Sequence, residues 1–319
     1  MLNLLPVFDV PDRISSAIGN GGRFRLAIAF AVALVAAAGA GCGVTNEEAG
    51  TLTAARVTVP ADPAIAGQVP AQFRSKGALI VAEDATYAPD EFVASNGNTV
   101  IGMDADLAKA IVDRMGLRPS VQNVPFDSII PGLNAAKYDL GMSSFSDTKA
   151  REAVVDFVTY AIAGESFYVR APRGPEITSL ADLCGHSVAA EKGTTEAADA
   201  VTQSTRCTNA GKRAVSVSIF PDQNYVNAAL AARRVEVAFA DTPVAAYAVK
   251  QSGGRFRLIP GSIENAPYGV AIAKHSGLQR PVLDAVKSLI ADGTYEAILR
   301  YWGLQRIGIS NPTINAATS

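Results

Sequence analysis

The sequence predicts an α/β protein of two βα lobes, joined by two crossings of the chain with a cleft between them. Three observations carry that expectation. From residue 78 to residue 251, short apolar runs alternate with stretches of helical period, the pattern of a mostly parallel sheet covered by helices. Pro172, Gly174 and Pro175 break the alternation midway and place a first crossing there. Residues 268–273 are an apolar run after the second set of alternations and read as the return strand to the first lobe.

Each element has its own justification. The folded part is expected from near Phe73. Residues 78–82 are a strand candidate and 84–92 a loop. Leu107, Ala108, Ile111, Val112 and Met115 recur at helical spacing over 104–115, and Gly116 supplies the stop. A strand at 120–124, a helix at 127–136 and a strand at 138–142 follow. Residues 154–160 and 165–170 are extended. In the second lobe, strands are expected at 187–190, 214–220, 235–240 and 257–260. Helices are expected at 179–183, from Gly193 to about residue 202, at 224–232 and at 244–251. Helices at 281–292 and 295–301 close the chain, and residues beyond about 309 are expected to fray.

The 319 residues carry a net charge of −2, and only 18% are charged, so nothing points to nucleic acid or an anionic membrane surface. Part of the 49% hydrophobic content is a targeting segment. Arg23 and Arg25 precede an apolar run, 26–38, that is short for a membrane span and ends in small residues. Residues 1–41 read as a secretory signal peptide. Asp9 and Asp12 are foreign to such a leader, so the true start is expected downstream of Met1. Residues 42–72, rich in Thr, Ala, Pro and Gly, read as a flexible tether.

The stretch Gly141 to Arg151, Gly-Met-Ser-Ser-Phe-Ser-Asp-Thr-Lys-Ala-Arg, follows a predicted strand end. Ser143, Ser144 and Ser146 supply hydroxyls that donate and accept, and Arg151 supplies a fork that matches a carboxylate. At the C-terminal edge of a sheet these make a cradle for a small zwitterion. By spacing alone the stretch is equally a serine-rich capping turn with a surface arginine. Gly193, Thr194 and Thr195 open a helix whose free N–H groups suit an anion, or form a plain N-cap. They lack the lysine of a P-loop. His186 and His275 have no partners at metal-ligand spacing, and no serine sits in a G-x-S-x-G context. No cofactor or metal is called for. Cys184 and Cys207 form an even pair in an exported chain, expected to bridge.

Ser-Ser-Phe-Ser-Asp-Thr-Lys-Ala-Arg resembles the M-S-S-x-S-x-T-x-x-R signature of bacterial extracellular solute-binding proteins of family 3, the receptors of polar amino-acid ABC importers. The resemblance runs from about Gly77 to Trp302. It includes Asp84-Ala-Thr-Tyr-Ala-Pro, Gly102-Met-Asp-Ala-Asp-Leu, Pro125-Phe-Asp and Ile130-Pro-Gly-Leu in the family's order. It implies the type II periplasmic-binding fold, with lobe one at 73–170 plus 267–310, lobe two at 171–266 and a tail at 311–319. It also implies hinged closure on a ligand. Gly39-Ala-Gly-Cys42 is similar to a lipobox with Gly39 in place of leucine, which implies a lipoprotein anchored outside the bacterial cell membrane through Cys42, or else an ordinary cleavage site. The implied partners are an amino acid and a permease, with the receptor a monomer.

Carried over position by position, Arg151 resembles the clamp for the ligand's α-carboxylate, aided by Ser144, Ser146 and the Thr195 amide. Asp241 resembles the partner of the α-ammonium, and Ser143 offers it a backbone carbonyl. Tyr87 and Phe126 resemble the pair that sandwiches the ligand's aliphatic part. Asp84 and Glu191 stand where the family meets the side chain, while Lys192 is expected to face away. Two carboxylates there favour a cationic ligand over an acidic one. Glutamine or another neutral amino acid is the alternative if Asp84 braces its own loop. Cyclohexadienyl dehydratases also resemble these receptors, so an enzyme on the same fold is the competing function. An extracellular sensor is a third reading, for which the sequence shows no second hydrophobic span.

Overall fold

The computed structural model describes residues 53–55, 57–261 and 263–318. The expected signal peptide, Cys42 and the tether up to residue 52 lie outside the described residues. Among the described residues no helix is long and apolar enough to cross a membrane.

The chain enters through α1 (Pro63–Gln68) and α2 (Ala71–Lys76). Asp62 caps α1 by accepting from the N–H groups of Ala64 and Ile65, and Pro63 occupies a first-turn position where no N–H is needed. Residues 53–55 and 57–72, expected as slack, are therefore ordered against the first lobe. Ile65 and Val69 join its core, and Ala54, Val57 and Val59 pack on it. The Thr, Ala, Pro and Gly content masked the four larger apolar side chains, Val57, Val59, Ile65 and Val69, whose burial contributes about 1–3 kcal/mol each.

The remaining elements follow the expected alternation, with short additions at 86–87, 91–93, 100–101 and 149–152, the first inside and the second at the end of the stretch expected as a loop over 84–92. They are β1 (Ala78–Glu83), the hairpin strands β2 (Thr86–Tyr87), β3 (Glu91–Val93) and β4 (Val100–Ile101), then α3 (Met103–Arg114), β5 (Arg118–Asn123), α4 (Phe126–Asn134), β6 (Leu140–Gly141), α5 (Lys149–Glu152) and β7 (Val155–Arg170). Next come β8 (Ser187–Glu191), α6 (Thr195–Asn209), β9 (Ser216–Phe220), α7 (Gln223–Ala231), β10 (Val237–Asp241), α8 (Thr242–Gln251) and β11 (Phe256–Leu258). The chain closes with β12 (Ile263–Ala273), α9 (Gln279–Ala291) and α10 (Thr294–Trp302).

One sheet runs β5-β1-β6-β12-β7-β10-β8-β9, with β11 beside β7. The pairs β1–β5, β1–β6, β8–β9 and β8–β10 are parallel, while β7, β11 and β12 pair antiparallel. The two extended stretches expected at 154–160 and 165–170 are one strand. Its first half pairs with β12, and from Glu165 onward it pairs with β10. The strand thus passes between the two strand groups near 163–165, ahead of the Pro172–Pro175 turn. Leu79, Leu107, Ile111, Ile272 and Leu289 are in the first core; Phe167, Val188, Val237 and Phe239 are in the second. Cys184 and Cys207 are disulfide-bonded, tying the turn before β8 to α6.

The tail does not fray. Phe157 and Thr159 of β7 exchange hydrogen bonds with Asn315 and Thr313, and the N–H groups of Ala316 and Ala317 donate to Asp147 and Glu152 at 2.6 and 3.0 Å. The N–H and C=O groups on that edge of β7 need partners, and the tail supplies them.

Candidate functional site

Both lobes contribute to one cleft. It is lined by Tyr87, Phe126, Ser144, Ser146 and Arg151 from the first lobe and by Glu191, Thr194, Thr195, Glu196, Gln223 and Asp241 among others from the second. Its empty space, mouth included, is about 350 Å³.

The lobes meet across this cleft. Arg151 donates through Nη1 to the Ser146 carbonyl at 2.8 Å and through Nη2 to the Gly193 carbonyl at 3.0 Å. Its guanidinium lies 5.5 and 5.4 Å from the Phe126 and Phe145 ring centres, within cation–π range. Lys192 faces away from the cleft, as expected, and pairs with Asp127 of the opposite lobe at 2.7 Å. Gly193 holds φ +86°, and a Cβ there would sit 3.0 Å from that of Asp127, so a side chain would wedge the lobes apart. Burial pulls the Arg151 guanidinium down from its ordinary value, opposed by Glu196 and Asp241.

The serines divide their labour. Thr148 caps α5 and Ser146 turns its carbonyl to Arg151. Ser144, at φ +48°, lines the cleft while its N–H donates to Asp104 and its hydroxyl to Asp90. Ser143 lies behind the wall, accepting from the Asp84 N–H and donating to Glu91 at 2.6 Å. Thr194 caps α6 by accepting from the Ala197 N–H. Thr195 follows on the cleft wall.

Asp84 differs from the pocket role expected of it. Its carboxylate accepts from the Phe126 N–H and the Thr86 hydroxyl, so it braces its own loop and is not among the cleft-lining residues. Tyr87 and Phe126 both line the cleft, but their ring centres are 5.7 Å apart in an edge-to-face contact at 66°. An aliphatic stem between two rings needs roughly 7–8 Å, two carbon contact distances. The rings therefore form one wall instead of a slot.

The acids fall into two groups. Burial first, then Asp84, pushes Glu191 up to about 10; both its oxygens are buried without a partner of normal hydrogen-bond length. In the other group, Asp241 and Glu165 are directly opposed on β10 and β7, an unfavourable like-charge pair. Burial, reinforced by Glu196, raises Asp241 well above the carboxylate range, and burial with Glu196 and Asp241 pushes Glu165 up to about 10. Glu165, Glu196 and Gln223 escaped the sequence reading. Glu196 looks like an ordinary first-turn helix acid. Glu165 did carry a signal, being the single acid within the apolar run 161–169.

Behind the serine turn lies a second set of acids: Glu83, Asp90, Glu91 and Asp104, none with measurable exposure. Gly102 makes it possible, since a Cβ at its φ of +134° would fall 2.2 Å from the Asp90 carbonyl. Tyr160 donates to Asp104 at 2.6 Å. Both oxygens of Glu83 and one each of Asp90, Glu91 and Asp104 have no partner. Burial raises all four, Asp104 to about 7.

A profile of the bacterial extracellular solute-binding proteins, family 3, matches residues 79–305. An arginine-binding protein, ArgT, of Corynebacterium glutamicum is 31% identical over 274 residues, covering 85% of this chain and 90% of that protein. An ancestral arginine-binding protein bound to arginine superposes with a TM-score of 0.65 at 31% identity, covering 71% of this chain and 98% of its own. An ancestral amino acid-binding protein, a precursor of cyclohexadienyl dehydratase, gives 0.65 at 29% identity, over 72% of this chain and 97% of that one. With its two lobes, crossing strands and interlobe cleft, the chain belongs to the bacterial extracellular solute-binding proteins of family 3.

Proposed function

We propose that this protein is the amino-acid receptor of an ABC importer, acting outside the cytoplasm, with a preference for lysine, arginine, ornithine or a similar cation. The observation that carries this is the arrangement of charge in the cleft. Its one cationic lining residue, Arg151, interacts with Asp241 and Glu196, while Glu191 stands in a separate acid group with Asp84. An α-amino acid carries its carboxylate and ammonium on one carbon, matching Arg151 beside Asp241. Because Asp84 braces its own loop, the condition under which a neutral amino acid is the alternative, the cation preference rests on Glu191, a buried acid that a side-chain cation reaching it would relieve. The arginine-binding names of two relatives support the same preference. A thermal-shift panel of amino acids tests it: lysine, arginine and ornithine should stabilise most. Stabilisation by glutamate or neutral amino acids alone would sink the cation preference, and no stabilisation by any amino acid would sink the receptor reading.

Ligand must touch Arg151 on one lobe and Asp241 on the other, so binding favours the closed arrangement, with bending where β7 and β12 pass between lobes. A lipid on Cys42 would hold the receptor at the outer membrane surface near its permease, as a monomer. Metabolic labelling with a radioactive fatty acid checks this, and absence of label ends the lipoprotein reading.

One observation favours a second reading. Glu191, pushed up to about 10, keeps a proton at neutral pH, the state a general acid requires. Aromatic product from prephenate or arogenate would assign a dehydratase instead.

A further inference from the structure

Five residues beyond Glu165 along β7, about 16 Å by strand rise, the second lobe has another concave surface. It is lined by Arg170, Ala171, Pro172, Arg173 and Arg233 around roughly 600 Å³ of space open to solvent. Three guanidinium groups and no carboxylate form its walls. None of these residues lines the amino-acid cleft.

The site is held in place from behind. Arg170 is half-buried, and its Nη1 donates to the carbonyls of Leu230 and Val235 at 3.3 and 2.9 Å. Those carbonyls flank the turn that carries Arg233. The turn closes α7 with hydrogen bonds from Arg233 N to Leu230 O and from Arg234 N to Ala229 O. Arg233 occupies the left-handed position there, φ +61°. Glycine is the usual residue at such a helix end, because a side chain adds a steric cost. Arginine has taken the strained position and directs a cation to the pocket. Among the described residues, the guanidinium groups of Arg173 and Arg233 have no hydrogen bond or ion pair. Glu176 in the adjoining turn is already engaged by Arg257 at 2.7 Å.

Guanidinium forks match phosphate oxygens two at a time. The two uncommitted forks of Arg173 and Arg233, backed by the charge of Arg170, exceed what the single charge of one carboxylate can offset, whereas free phosphate or a phosphomonoester offers three or more oxygens and up to two charges. We propose that this pocket is a second ligand site, for a phosphate dianion presented either as free phosphate or as the phosphomonoester headgroup of phosphatidate.

The test uses the full chain carrying Cys42→Ala, so that no acyl chain contributes, with Arg173→Gln and Arg233→Gly introduced separately. Arg233→Gly is expected to fold, since it restores the favoured residue to that turn. Calorimetry with inorganic phosphate, against chloride at equal ionic strength, should show saturable binding weakened at least tenfold in each variant. Affinity for the amino acid that stabilises the parent chain should stay within twofold. Co-sedimentation with vesicles containing phosphatidate, against vesicles in which phosphatidylglycerol supplies the same surface charge, identifies the source. Pelleting only with the phosphatidate vesicles, lost in both variants, assigns the lipid headgroup, and saturable free phosphate without pelleting assigns the small ion. The proposal is overturned if neither assay responds, if chloride matches phosphate, or if both variants respond like the parent.

Discussion

The cleft and the chamber behind it are built from the same residue type and behave in opposite ways. In the cleft, Glu191, Glu165 and Asp241 line or abut a space that a ligand can enter, so their cost can be relieved by a cation from outside. In the chamber, Glu83, Asp90, Glu91 and Asp104 are sealed beneath the serine turn, so relief comes only from protons. The lesson is that burial alone does not say what a carboxyl is for; access does. Cleft acids should make affinity depend on pH, and chamber acids should make stability depend on it.

The largest effect should come from the cation that the cleft acids surround. Arg151→Ala removes two charge-assisted bonds to ligand, about 1.5–3 kcal/mol each, so calorimetry should show a loss of at least a hundredfold; a loss below tenfold would falsify the clamp. Next, Glu191→Gln should weaken a basic amino acid by roughly 10–100-fold, one bond to a charged group, while leaving glutamine unharmed. Equal losses for both would erase the distinction between the two acid groups.

The chamber is tested by stability. Its carboxyls have folded values raised above their unfolded ones, so the folded state holds extra protons above about pH 4. Stability from them is full at the acid end and is lost as pH rises toward and past 7, where Asp104 titrates. Each proton is worth about 1.4 kcal/mol per pH unit. Melting temperature without ligand should therefore fall from pH 5 to pH 8, and Glu83→Gln, which breaks no hydrogen bond, should flatten that fall. A slope unchanged by the substitution would remove Glu83 from the chamber's titration. The smallest effect is proton release. A basic ligand should expel the Glu191 proton, so its affinity should climb between pH 6 and pH 8. Calorimetry in buffers of different ionisation enthalpy should detect less than one proton released, and none if the ligand is neutral.

Much of this was legible in order and little of it in depth. The alternation of apolar runs marked the strands and helices of the two lobes, because each carries its own period, but not α1, α2, α5 or the hairpin strands β2 to β4, which at two to six residues are too short to show one. The signature from Ser143 to Arg151 marked one wall of the cleft because its residue types are chemically unusual together. The position of Asp84 relative to that wall was not readable, since bracing a loop and facing a ligand use the same carboxylate. Tyr87 and Phe126 were legible as wall residues, but their 5.7 Å spacing depends on Phe145, which stacks on Phe126 at 4.4 Å. Asp90 and Glu91 sat in a stretch that sequence reads as a solvated loop. Their burial arises from Gly102 and the serine turn, which are distant in the chain. The tail was misjudged for a related reason: its partners are on β7, some 150 residues away.

That tail has a practical consequence. Ala316 and Ala317 grip Asp147 and Glu152, which bracket the turn ending in Arg151. Residues 316 and 317 are thus tied by hydrogen bonds to the two ends of the recognition loop. A fluorophore attached after Ala317 should sense ligand arrival, whereas a purification tag placed there would tug on the clamp and is better cut away before affinities are measured.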